Sequence, residues 1–165
     1  MNAIAPITIR PAERGDCDAI TAVFLAARND AMPWLPVLHT DDETRWWIEH
    51  IVLAECRVQV AALAGTVAGF SAVRGSHLDH LYVAPSLQGR GIGRRLLRAT
   101  QDENPLLTLA VFQRNERARR IYEVAGFRLS ELRDGTDNEE GEPDAVYVWH
   151  ASCPKRGHNL PQSRA

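Results

Sequence analysis

One α/β (α+β) domain, a mixed central sheet with helices on both faces, is the fold that this 165-residue sequence predicts. Three observations predict it. Strand-like and helix-like apolar periods alternate along the chain in the order βααβββαβαββ. A short apolar strand stopped by Pro85 runs into Gln88-Gly89-Arg90-Gly91-Ile92-Gly93 and then into an amphipathic helix. Residues 106–112 are apolar at nearly every position, as a central strand covered on both faces is.

The elements follow in order. Residues 7–10 alternate as a first strand and stop at Pro11. Asp16 is placed to cap a helix through about residue 29, with Ile20, Val23, Phe24 and Ala27 on its buried face. Two prolines make residues 32–40 a loop, and a second helix follows from Asp42. Its buried stripe is expected to come from Trp46, Trp47, Ile51 and Leu53. Residues 57–63 and 66–73, divided by Gly65, read as an antiparallel hairpin. Residues 77–83 feed the glycine-rich loop. The helix over 92–102 sets Ile92, Leu96, Leu97 and Thr100 on one face and Arg94, Arg95 and Arg98 on the other. A helix starting at Asn115 carries Ala118, Ile121, Tyr122 and Ala125, and Gly126 ends it. Strands over 127–132 and 145–150 close the fold. The domain spans residues 1–151. Prolines and small polar residues predict a mobile tail over 152–165.

Composition excludes several classes. A formal net charge of −2 gives no global attraction to nucleic acid or an anionic membrane. Three cysteines, at 17, 56 and 153, argue against a disulfide framework or a zinc site, so no metal is expected. No secretory signal and no membrane-length apolar run is visible. The expectation is a soluble, cytoplasmic protein with no nucleic-acid or membrane partner.

The glycine-rich segment carries the chemistry. Glycine at 89, 91 and 93 lets successive backbone N–H groups turn toward one point, and the helix start adds unpaired N–H groups and partial positive charge. Arg90 stands at the rim. Such a strand–loop–helix suits a phosphate or pyrophosphate. A P-loop is excluded, since no Lys-Ser or Lys-Thr follows the glycines, and the dinucleotide fingerprint fails because residue 94 is arginine. What remains has the form Q-x-x-G-x-G. Preceded by Leu-Tyr-Val-x-Pro, it resembles the acetyl-CoA loop of the GNAT superfamily of N-acetyltransferases. Asn115-x-x-Ala118-x-x-x-Tyr122-x-x-x-Gly126-Phe127 resembles that superfamily's later motif, and the element order resembles its fold over residues 7–150.

The resemblance implies acetyl-CoA as co-substrate, lying across the splayed ends of two parallel strands, 78–83 and 106–112. It implies pantetheine pairing with the backbone of Leu81, Tyr82 and Val83, and pyrophosphate on the N–H groups of Gln88, Gly89, Arg90, Gly91, Ile92 and Gly93. Asn115 would contact the cofactor, while its position suits an ordinary helix cap equally. Arg119 and Arg120 stand either at the adenosine phosphates or on a solvated helix face.

Acyl transfer needs a neutral amine and protonation of the departing thiolate. Tyr122 matches the family position beside the CoA sulfur, and the alternative is a tyrosine packed on its helix's apolar face. A phenol with a pKa of about 10 could protonate a thiolate with one of about 8.5, uphill by roughly 2 kcal/mol. Depriving an alkyl ammonium of its proton at neutral pH costs roughly 4–5 kcal/mol, which invites a base. Asp79, His80, His39, Glu139 and Glu140 are the candidates. Strict alternation puts Asp79 with Leu81 on one sheet face and Leu78 with His80 on the other.

The acceptor side is less defined. The connection over 134–144 concentrates acid, either as a solvated hairpin turn or as a negative rim for a cationic amine. Trp34 in the proline loop is placed to line a pocket. These features point to a small primary amine, acetylated directly in a ternary complex. The rivals are a non-catalytic acyl-CoA-binding or sensing domain and a protein N-terminal or lysine acetyltransferase. Dimers are frequent in the family, which leaves a homodimer open.

Overall fold

The computed structural model describes residues 5–152. Its strands are β1 (Ile7–Pro11), β2 (Arg57–Leu63), β3 (Thr66–Arg74), β4 (His77–Val83), β5 (Leu106–Phe112), β6 (Arg128–Arg133) and β7 (Asp144–His150). Its helices are α1 (Cys17–Ala31), α2 (Asp41–Trp47), a last short turn α3 (Leu53–Glu55), α4 (Ile92–Asp102) and α5 (Glu116–Val124). The strands form one sheet in the order β1-β2-β3-β4-β5-β7-β6. Every pairing is antiparallel except β4 with β5, so the sheet is mixed as expected. No helix among the described residues is long and apolar enough to cross a membrane.

Two cores sandwich the sheet. On one face Ile20 and Phe24 of α1 meet Ile48, Val52, Val60 and Phe70. On the other, Leu97 of α4 joins Leu107, Leu109, Phe127 and Tyr147, while Ile92 and Leu96 join Ala61 and Ala68. The helix stripes read from the sequence supply these contacts: Ile92, Leu96, Leu97 and Thr100 are buried, as are Ile20, Val23, Phe24 and Ala27. Removing one such leucine side chain would cost about 2–5 kcal/mol.

Three expectations are corrected. The second helix starts at Asp41, where Thr40 and Glu43 form a capping box. It then widens into a π turn over Ile48–Val52. Thr44, Ile48 and Val52 are the buried positions, and Trp47 and Leu53 of the expected stripe pack partly buried against the same core, whereas Trp46 is 57% exposed and stacks on His50 at 4.7 Å. Asp16 does not cap α1 with its side chain. Its carboxylate takes two bonds from Arg10 (2.7 and 2.9 Å) and one from the Glu13 amide (2.7 Å).

The third correction bears on the site. β4 does not alternate strictly, because Ala72 pairs with His80 and Val73 with Leu78, leaving Asp79 as an unpaired bulge. Leu78 therefore shares the α4 face with Leu81, while His80 and Tyr82 face Phe24 of α1. The expected tail falls, apart from Ser152, outside the described residues, as does Cys153.

Candidate active site

β4 and β5 pair at one position, His77 with Thr108, next to a bond from the Thr108 amide to the Ser76 carbonyl (2.9 Å). β3 meanwhile holds β4 along its length to Val83. The two parallel strands thus diverge just beyond the bulge, leaving the β5-facing edge of residues 81–83 without a neighbour. A cleft of about 1180 Å³ fills the opening and runs from α1 past β4 to the start of α4 and the length of α5.

At its α4 end the backbone is arranged for an anion. Gly89 and Gly91 take left-handed φ values of +78° and +79°, where a side chain would be strained. The first α4 bond runs from the Arg95 amide to the Gly91 carbonyl (3.0 Å), so the amides of Ile92, Gly93 and Arg94 have no partner within the helix. A Cβ on Gly93 would stand 3.4 Å from Val83 Cγ2, so helix and strand lie within van der Waals reach there. The Gln88 side chain ties the loop back, donating from Nε2 to the Val83 carbonyl (3.1 Å). Of the residues expected on the cofactor, Leu81, Tyr82, Val83, Gln88, Gly89, Gly91, Ile92, Gly93 and Asn115 all line this cleft.

Two expected cationic contacts lie elsewhere. Arg119 turns to the sheet, donating from Nε to the Tyr147 hydroxyl (3.0 Å) and from Nη1 to the Gln113 carbonyl (3.3 Å). It therefore pins α5 to β7 instead of reaching the adenosine phosphates. Arg90 is exposed outside the cleft. Arg94, Arg98, Arg117 and Arg120 line the cleft in their place. Arg94 and Arg98 stand on the polar face that the sequence predicts for α4, and Arg120 at one of its two expected places. Asn115 caps α5, its Oδ1 accepting from the Ala118 amide (3.2 Å), while also lining the cleft.

Tyr122 also lines the cleft, with its ring edge-on to Phe127 at 5.6 Å. Burial, with the neighbouring Tyr82 adding to it, pushes its hydroxyl well above the ordinary phenol range. It therefore stays protonated at neutral pH as a hydrogen-bond donor. Burial likewise raises Tyr82. No buried side-chain oxygen or nitrogen among the described residues lacks a partner.

The expected acceptor residues form a second cluster, outside the cleft lining. The β6–β7 connection folds back over α1 and the loop after it. Glu139 meets His39 Nε2 (2.7 Å), Glu140 meets Arg28 (3.1 Å) and Glu142 meets Arg114 (3.1 Å). Arg114 also lies 4.4 Å over the Trp34 ring, which stands edge-on to Phe112 at 5.8 Å. The acidic rim is therefore largely matched by base. Arg28 and Arg114 were not singled out from the sequence, and no local signal marks them: Arg28 and Glu140 lie 112 positions apart.

The other base candidates separate from the cleft. Asp79 faces Arg74 (3.3 Å), His77 (3.8 Å) and the Cys56 thiol (3.6 Å) at the far end of β4. His80 sits among Phe24, Trp47, Phe70 and Tyr82, and burial lowers its pKa to about 4. It is neutral at pH 7 and a weak base.

The chain is similar to known proteins. The family model described as the acetyltransferase (GNAT) domain matches residues 47–129. The peptidyl-lysine N-acetyltransferase YiaC of Escherichia coli is 30% identical over 142 residues, covering 86% of this chain and 95% of that protein. The L-methionine sulfoximine/L-methionine sulfone acetyltransferase of Salmonella typhimurium is 28% identical over 139 residues, covering 75% and 81%. The solved structure of yncA from Salmonella typhimurium with its cofactor acetyl-CoA aligns at a TM-score of 0.68 and 22% identity, over 92% of this chain and 99% of that one. At that identity the likeness is one of fold.

Proposed function

The chain belongs to the GNAT family of acetyltransferases and is an enzyme that moves an acetyl group to an amine, and on that premise we propose acetyl-CoA as its donor and a small primary amine as its acceptor. The observation that carries the donor is the continuity of the cleft. It joins an unpaired strand edge at residues 81–83, suited to an amide-bearing arm, to the free amides opening α4, suited to a pyrophosphate. The arginines along the cleft add positive charge for further phosphate. The acetyl-CoA in the fold relative yncA supports the same donor.

Bound acetyl-CoA supplies an activated thioester. In this reading Leu81, Tyr82 and Val83 orient its arm, and residues 88–93 hold its pyrophosphate. Tyr122 keeps its proton at Oη and donates a hydrogen bond to the sulfur as negative charge grows there. Because its pKa is raised, complete proton transfer to sulfur is further uphill than for an ordinary phenol. Tyr122 thus acts first as a stabiliser of charge, and the acceptor attacks directly in a ternary complex.

A small amine is favoured by Trp34 and the paired β6–β7 connection, which gather aromatic and charged side chains beside α1. The methionine sulfoximine acetyltransferase also acts on a small acceptor. The similarity to YiaC along nearly its whole length favours a second reading, a peptidyl lysine. Calorimetric titration with acetyl-CoA tests the donor. One-to-one binding is expected, lost at least 100-fold in Gly91→Val, where a β-branched residue meets φ +79°. Absence of binding to the folded wild type would refute it. Thiol release with free amines against lysyl peptides then separates the two acceptors.

A further inference from the structure

Arg28 and Glu140 place opposite charges side by side where α1 meets the β6–β7 connection. Arg28 is flanked on its helix by Ala27 and Ala31, which line the cleft. The pair is largely removed from water, the side chains being 24% and 16% exposed. Yet it is joined by a single contact, Nη2 to Oε1 at 3.1 Å. A guanidinium carries five N–H donors in a planar fork, so most of its capacity is unspent on Glu140. Tyr82 and Tyr122 line the same cleft as Ala27 and Ala31, so the pair stands beside the transfer site.

Resting on the acetyltransferase reading above, we propose that the acceptor is a free α-amino acid, held with its carboxylate on Arg28 and its amino group on Glu140. A zwitterion can open a weakly joined ion pair and replace each charge with its like, leaving neither partner buried and unmatched. A simple amine would satisfy Glu140 and strand Arg28. A peptidyl lysine carries no carboxylate near its amine and would do the same. The planar fork of Arg28 suits a carboxylate in two-point contact. The reaction balances as zwitterionic amino acid plus thioester giving N-acetylamino acid, thiol and one proton: the ammonium first releases a proton to solvent, the freed amine forms the N–C bond as the C–S bond breaks, and its second proton leaves nitrogen as one reaches sulfur.

The test measures thiol release from acetyl-CoA with each of the proteinogenic amino acids, and with the decarboxylated amine matching every acid turned over. Wild type is expected to prefer the acid over its decarboxylated partner by roughly 10- to 100-fold in kcat/KM, the effect of a charge-assisted bond. Arg28→Gln should collapse that preference to within about threefold, mainly by raising KM for the acid. Arg28→Lys, which keeps the charge and loses the fork, should fall between. Acetyl-CoA affinity, measured by calorimetry on the same variants, should not change. Equal use of acid and decarboxylated amine by the wild type would overturn the proposal. So would acetylation of lysyl peptides with no free amino acid accepted, or an equal loss on both partners in Arg28→Gln, which marks a structural staple. Failure of the wild type to bind acetyl-CoA would instead remove the acetyltransferase reading on which the proposal rests.

Discussion

The two ends of the site are built from different materials. The donor end is backbone: glycines in left-handed conformation, free amides at a helix start, and a strand edge exposed where β4 leaves β5. The acceptor end is side chain, laced by the Arg28–Glu140 and Arg114–Glu142 ion pairs and the His39–Glu139 hydrogen bond, which join residues 112, 28 and 100 positions apart. Backbone amides hold their position with the fold and recognise what every substrate pair shares. Such side-chain ties can be rewritten by single substitutions, so they are where one acceptor is exchanged for another.

Breaking the chemistry without touching either end gives the largest effect. Tyr122→Phe removes one hydroxyl and retains the ring against Phe127. The expected result is a fall in kcat of about 100-fold or more, the scale of losing a donor to developing negative charge. Calorimetric acetyl-CoA affinity should stay within about threefold. A comparable loss in affinity would move Tyr122 from chemistry to binding.

Asp144→Ala separates the two ends. Its carboxylate is buried and takes two 2.7 Å bonds from Arg133, and Gln113 donates to its backbone carbonyl at 2.9 Å, at the root of the β6–β7 connection. Truncation leaves Arg133 without its partner. Because Arg133 is partly exposed, the loss of stability should be about 2 kcal/mol, below that of a fully buried pair. Urea unfolding measures it. The acceptor KM should rise while acetyl-CoA affinity holds, and a parallel loss of both would show that the ends are mechanically coupled.

The same division explains what the sequence made legible. The Gly89 and Gly91 turns, the α4 stripe and the Asn115 cap are local patterns, each fixed by a few neighbouring residues, and they reappear in the structure. The bulge at Asp79 is not local. It is set by the register of β3 against β4, and it reversed the expected relation of Leu78 to His80. Within the π turn the fully buried positions are Ile48 and Val52, with Trp47 and Leu53 of the expected stripe only partly buried beside them. Arg119 was expected either at the adenosine phosphates or on a solvated helix face, but the Tyr147 hydroxyl, which only the folded sheet brings near, holds it. The partners of Glu139 and Glu140 were invisible for the same reason.

His80 offers the smallest and most selective probe of the comparison, because it stiffens only the α1 face. Its ring packs among Phe24, Trp47, Phe70 and Tyr82, and desolvation holds its pKa at about 4, below the ordinary 6.5. The folded state therefore prefers the neutral ring, and between pH 6.5 and 4 the unfolded chain binds the extra proton. Its contribution is complete above pH 6.5 and is lost as pH falls toward 4. The shift sets a ceiling of about 3 kcal/mol, and partial solvent contact of the ring reduces the expected loss to about 1–2 kcal/mol. Urea midpoints across that window should fall for the wild type more than for His80→Leu, whose residue cannot titrate. Hydrogen exchange should place the acid-induced loosening in α1 and β4 and spare α4, because the amides that open α4 belong to the other face of the sheet. Equal loosening of α4 would show that the donor end relies on the aromatic cluster as much as the acceptor end does.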